Sequence, residues 1–109
     1  MKPAVLYCVQ GLSSQMRGEL IALARDAAQS HGFWFDQALV APSTHSSSLE
    51  SALEYVDLHD TGCVVVPTLK HLPQQDVAPV LRRCDLITLY PLASWTKFPR
   101  KRSGPSLAG

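Results

Sequence analysis

The sequence predicts an α/β domain of three layers, with a four-stranded, mostly parallel sheet and helices on both faces. Three observations predict it. Four apolar runs, at residues 4–9, 33–40, 63–66 and 85–90, alternate with three stretches of helical character, and such alternation belongs to sheets joined by right-handed helical crossovers. The run Cys63-Val64-Val65-Val66 is apolar without alternation, as in a strand covered on both faces. A chain of 109 residues can bury one core without disulfide or metal staples, and holds one domain at most.

Each element has its own signals. Residues 4–9 mix β-branched and aromatic residues and stop at Gln10-Gly11, a strand and its boundary. Ser13 or Ser14 can cap the helix that follows. Its apolar face is Met16, Leu20, Leu23, Ala24 and Ala27, with Gly32 as the residue past its end. Phe33-Trp34-Phe35 and Ala38-Leu39-Val40 make a second strand. The second helix starts at a capping box, Ser47 with Glu50, faces inward with Leu49, Leu53, Val56 and Leu58, and ends at Thr61-Gly62. Asp76 can cap a short third helix reaching Arg83, with Pro79 in its first turn. Residues 85–90 form the fourth strand, closed by Pro91. The ordered domain is placed at 1–95, and 96–109 reads as a flexible basic tail.

Composition narrows the function classes. The apolar fraction of 46% is ordinary for a globular chain. No apolar run nears the roughly 20 residues of a membrane span, and Met1-Lys2-Pro3 leads into a strand pattern, not a secretory leader. The three cysteines, Cys8, Cys63 and Cys84, sit in or beside apolar segments and read as reduced, packed thiols of a cytoplasmic protein. Neither they nor His31, His45, His59 and His71 have metal-ligand spacing, so no metal or cofactor is expected. The net charge of +1 hides an asymmetry. Residues 1–85 carry six Lys/Arg against all nine Asp/Glu, and the remaining four cations, Lys97, Arg100, Lys101 and Arg102, follow with no acid among them.

Several segments resemble the catalytic domain of the serine recombinases, the resolvase and invertase family. Residues 4–15 are similar to its opening strand, V-I-Y-A-R-V-S-T-x-x-Q, with Tyr7 on the family's Tyr and Gln15 on its Gln. His31-Gly32-Phe33 resembles the close of its first helix. Val64-Val65-Val66-Pro67-Thr68-Leu69-Lys70-His71-Leu72-Pro73-Gln74 resembles V-V-V-x-x-L-D-R-L-S-R, and residues 85–89 its next strand. The resemblance spans about residues 4–93 and implies a resolvase-like fold. It also implies that this chain is a non-catalytic member. That family's chemistry needs a serine nucleophile and several arginines to stabilise charge on the phosphoryl group. Gly11 stands at the nucleophile, Val9 at the preceding Arg, Lys70-His71 at the Asp-Arg pair, Pro73-Gln74 at the Ser-Arg pair, and Ser47-Ser48 near the Arg-Pro before the second helix.

Ligands of open α/β sheets bind beyond the C-terminal strand ends. That rim is expected to carry Ser13, Ser14, Gln15, Lys70 and His71 as an anion or ligand site, with Lys70 supplying charge and the helix start supplying N–H donors. The leading functional expectation is a binding or regulatory module working through protein association, as a homodimer or with a protein partner, along Tyr90, Leu92, Trp95 and Phe98. One alternative is contact with nucleic acid through Lys97, Arg100, Lys101 and Arg102 and the same rim. Another is an enzyme of unrelated chemistry around Ser13, Lys70 and His71.

Overall fold

A computed structural model describes residues 1–12 and 17–99. The elements run β1 (Pro3–Val9), α1 (Arg17–Ser30), β2 (Trp34–Ala41), α2 (Ser46–Leu58), β3 (Cys63–Val66), two single-turn 3-10 helices (Leu69–His71 and Pro73–Gln75), α3 (Ala78–Leu81), β4 (Asp85–Leu89) and β5 (Leu92–Trp95). The strands form a sheet in the order β2-β1-β3-β4-β5. β1 to β4 are parallel, and β5 pairs with β4 antiparallel. The α/β class and mostly parallel sheet stand as expected, but the strand number rises from four to five. β5 is four residues long and alternates between exposed and half-buried positions, so no apolar run announces it.

Period-2 alternation divides the core between the two faces of the sheet. Val5, Tyr7, Val9, Val64, Val66 and Leu86 meet Leu49, Leu53 and Val56 of α2 and Val80 and Leu81 of α3. Ala4, Leu6, Cys63, Val65, Ile87 and Leu89 meet Leu20, Ala24, Ala27 and Ala28 of α1. Two residues assigned to helix faces fall outside the core, Leu23 at 39% and Leu58 at 82% exposure. Met16 lies outside the described residues.

The helix ends show which local signals govern. α1 closes as expected. Phe33 N–H donates to Ala28 O at 2.9 Å and Gly32 N–H to Gln29 O at 3.1 Å, the paired bonds of a Schellman end, and Gly32 takes the required positive φ of 84°. α2 begins differently from the expected capping box. His45 is the cap, its Nδ1 accepting from Ser47 N–H at 3.2 Å; Ser47 lies inside the first turn, where its own N–H needs an acceptor. At the other end Asp60, not a glycine, takes the left-handed conformation at φ 51°, and Thr61 N–H returns to Val56 O at 2.9 Å. Gly62 serves a close approach instead. A Cβ there would stand 2.7 Å from both Lys2 Cβ and the Phe33 ring.

Three other boundaries move. β2 is one strand whose register slips opposite Ala4 and Val5, leaving Asp36 unpaired as a bulge; that extra residue splits its apolar pattern. Of the expected helix at 76–83 only the single turn α3 forms, with Asp76 Oδ1 accepting from Ala78 N–H at 3.0 Å, and two 3-10 turns precede it. The ordered body also continues past residue 95. Lys97 N–H donates to Asp85 Oδ1 at 2.7 Å, and Phe98 N–H to Leu81 O at 2.8 Å. Among the described residues no helix is long and apolar enough to cross a membrane.

Candidate functional site

The crevice of an open α/β sheet opens where successive crossovers leave in opposite directions. Here that point lies between β1 and β3, since β2 flanks β1 on one side and β3 on the other. β1 and β3 pair through Ala4, Val5 and Leu6 with Cys63, Val64 and Val65. Farther along, Val9 N–H points toward the β3 side and needs another acceptor. The imidazole of His71 supplies it, with Nδ1 accepting at 2.8 Å.

The loop after β3 is built to deliver this ring. Thr68 Oγ1 accepts from Lys70 N–H at 3.2 Å, and His71 N–H donates to Thr68 O at 3.2 Å. The resulting 3-10 turn swings His71 inward until 1% of it remains exposed. Burial pushes its pKa below the ordinary imidazole value. An accepting Nδ1 places the proton of the neutral ring on Nε2.

The residues expected to form an anion site therefore part company. Lys70 stays exposed, while the adjacent His71 is neutral, buried and engaged with β1. His71 is turned into the core instead of outward at the rim. Ser13, Ser14 and Gln15 lie outside the described residues. So do Arg100, Lys101 and Arg102. Lys97 is exposed, with its backbone N–H held by Asp85.

Two of the positions matched to the recombinase chemistry, Val9 and His71, meet through the Val9 N–H bond. Gly11 has a φ of 83°, which an L side chain adopts at a cost. Val9 is 5% exposed and packs in the core beneath α2. Pro73 and Gln74 belong to a turn in which Gln74 is exposed. The chain matches no family model, no curated protein and no solved structure.

Nucleophile chemistry at the cysteines is disfavoured by their surroundings. All three are buried and free. Burial raises each thiol above its ordinary pKa, with Cys84 pushed up to about 12. Thiolate is the reactive form, so these thiols are expected to react slowly with a thiol reagent in the native protein and quickly in denaturant. Rapid modification of all three without denaturant would contradict this packing. Among the described residues no group of three or more His, Cys, Asp or Glu side chains could hold a metal ion. His31 Nδ1 lies 2.9 Å from Ala27 O, His45 caps α2, and His59 stacks on Tyr55 with ring centroids 4.0 Å apart.

Two concavities lie away from the crevice. One, of about 370 Å³, sits at the opposite end of the sheet. Four of its charged side chains pair, as Lys2–Asp60 at 3.3 Å and Arg83–Asp57 at 2.7 Å, and Asp85 accepts the Lys97 backbone N–H. The other, of about 560 Å³, runs between edge strand β2 and the first turns of α2, with Tyr7 lining it. Sequence reasoning missed this groove. Its signals were the hydroxyl-rich stretch 43–51 and a tyrosine in the middle of an apolar strand.

The outer edge of the sheet at β5 is a further exposed feature. Leu92 is 70% exposed, with Tyr90 at 41% and Phe98 at 43%. Trp95, paired across the ladder with Leu86, is half-buried against the molecule's own core, which leaves Tyr90, Leu92 and Phe98 as the apolar residues presented outward.

Proposed function

We propose that this chain is a non-catalytic, serine-recombinase-like domain that acts as a binding or regulatory module and self-associates as a two-fold dimer along the outer edge of β5. The observation that carries the proposal is Leu92. A large apolar side chain stands 70% exposed on an edge strand, and the aromatic residues on either side of it in sequence, Tyr90 and Phe98, are exposed as well. Such an edge carries unpaired backbone N–H and C=O groups beside apolar surface, a template for pairing. β5 is short, so the side chains of Tyr90, Leu92 and Phe98 carry the contact more than the backbone does. A two-fold axis brings the same patch of each copy together.

The non-catalytic part of the reading is supported by the sequestered His71, the glycine at position 11 and the buried Val9. Contact with nucleic acid through Lys97, Arg100, Lys101 and Arg102 is the weaker reading, since no geometry in the described residues favours it.

The Leu92→Lys variant tests the association surface. Burying an unpaired ammonium in an apolar contact is costly, so the variant is expected to weaken the dimer by at least about tenfold. Its melting temperature at low concentration should match the wild type, because Leu92 packs little within its own fold. Size-exclusion chromatography with light scattering reads the mass. A Leu92→Lys protein that dimerises as well as the wild type would overturn the proposal.

A further inference from the structure

We infer that the groove between β2 and α2 is a binding site for a small, uncharged molecule with an apolar body and one hydrogen-bond acceptor, received by the hydroxyl of Tyr7. Three observations converge on it. The groove holds about 560 Å³, within the range of small-molecule sites. Its walls are Leu39 and Ala41 of β2 and Ser48, Ala52 and Tyr55 of α2, and among the described residues no charged side chain lines it. Tyr7 lines it too; it is 1% exposed, and its hydroxyl is closed to solvent with no hydrogen-bond partner among the described residues.

A buried tyrosine normally finds a partner for its O–H, and leaving that donor unmatched is a standing cost. An acceptor on a ligand would remove it. The neutral lining sets the class of ligand, because an ion entering without a counter-charge would lose its hydration uncompensated. The start of α2 does not alter this. Ser47 N–H is held by His45 Nδ1, and Ser48 N–H by His45 O, so those donors are engaged. Reaching the Tyr7 hydroxyl requires lining side chains to move, and Leu39 and Tyr55, which line the groove with it, are only partly buried.

Benzamide is the probe. It combines a flat apolar body with a carbonyl acceptor, and benzoate is its charged counterpart. In a titration followed by amide NMR shifts, benzamide is expected to give saturable changes at Tyr7, at residues 38–41 and at residues 48–52. Benzoate should bind at least about tenfold more weakly. Tyr7→Phe removes only the unmatched hydroxyl, so it should fold with at least wild-type stability and weaken benzamide about three- to tenfold. Ser51→Phe, at an exposed position on the groove wall, should abolish the shifts by filling the space. Absence of saturable shifts, equal binding of benzoate, or a Tyr7→Phe protein with unchanged affinity would each overturn the inference.

Discussion

Replacing His71 with leucine is expected to destabilise the domain by about 1–3 kcal/mol, the cost of a buried donor left without an acceptor. Leucine has similar bulk and excludes water, so Val9 N–H would lose the 2.8 Å bond to Nδ1 with nothing to replace it. Asparagine is the informative contrast, because its Oδ1 occupies nearly the position of Nδ1 and can accept the same N–H. The two variants also separate in acid. Burial holds the His71 ring below its ordinary pKa of 6.5, so the folded chain keeps it neutral where the unfolded chain binds a proton. Proton uptake by the unfolded state lowers stability. The contribution of His71 is complete above its unfolded pKa and is lost as pH falls from there through the lowered folded value, by up to about 1.4 kcal/mol per pH unit. Urea unfolding at about pH 7 and about pH 5 should show a larger loss for the wild type than for His71→Asn. Equal losses would mean that the ring is not sequestered.

The second large effect is expected at Leu53. Its side chain is 1% exposed and lies in the cluster that joins α2 to Tyr7, Val64, Val66 and Leu86. Leu53→Ala leaves a void that the sheet cannot collapse to fill, and should cost about 2–5 kcal/mol. That is a large share of the roughly 5–15 kcal/mol typical of a domain. Leu23→Ala, at a 39% exposed position on α1, is the control and should cost much less. Equal losses in chemical denaturation would contradict the assignment of the inward face of α2.

Periodicity and apolar runs made the core of this fold legible. β1, β3 and β4 declared themselves because burial on both faces demands continuous apolar residues, whereas the edge strand β2 showed through two shorter apolar stretches. Gly32 announced the end of α1 because a left-handed position favours glycine. What stayed hidden depended on tertiary context. β5 is a short edge strand with one side in solvent, so its pattern is no stronger than that of a loop. The bulge at Asp36 broke β2 into two apparent pieces, while its carboxylate accepts from Tyr55 O–H at 2.7 Å. His45 displaced the Ser47 capping box because an imidazole can accept an N–H as a carboxylate does, and local sequence does not reveal which acceptor arrives first.

The site was less legible than the fold. His71 beside Lys70 reads as a second residue of the same rim in the sequence. A 3-10 turn sends the two side chains in opposite directions, one into solvent and one against β1. The groove at Tyr7 draws its lining from the consecutive elements β2 and α2 and from β1, distant from them in sequence. The outward set Tyr90, Leu92 and Phe98 was partly foreseen. Trp95 left that set because the hairpin places it opposite Leu86, over the core.

The central claim is self-association through β5, and the mass of the native protein across a concentration series tests it most directly. Sedimentation velocity from low to high micromolar chain concentration should show the weight-average mass rising from one chain to two and levelling there. A mass of one chain across the whole series would contradict the account.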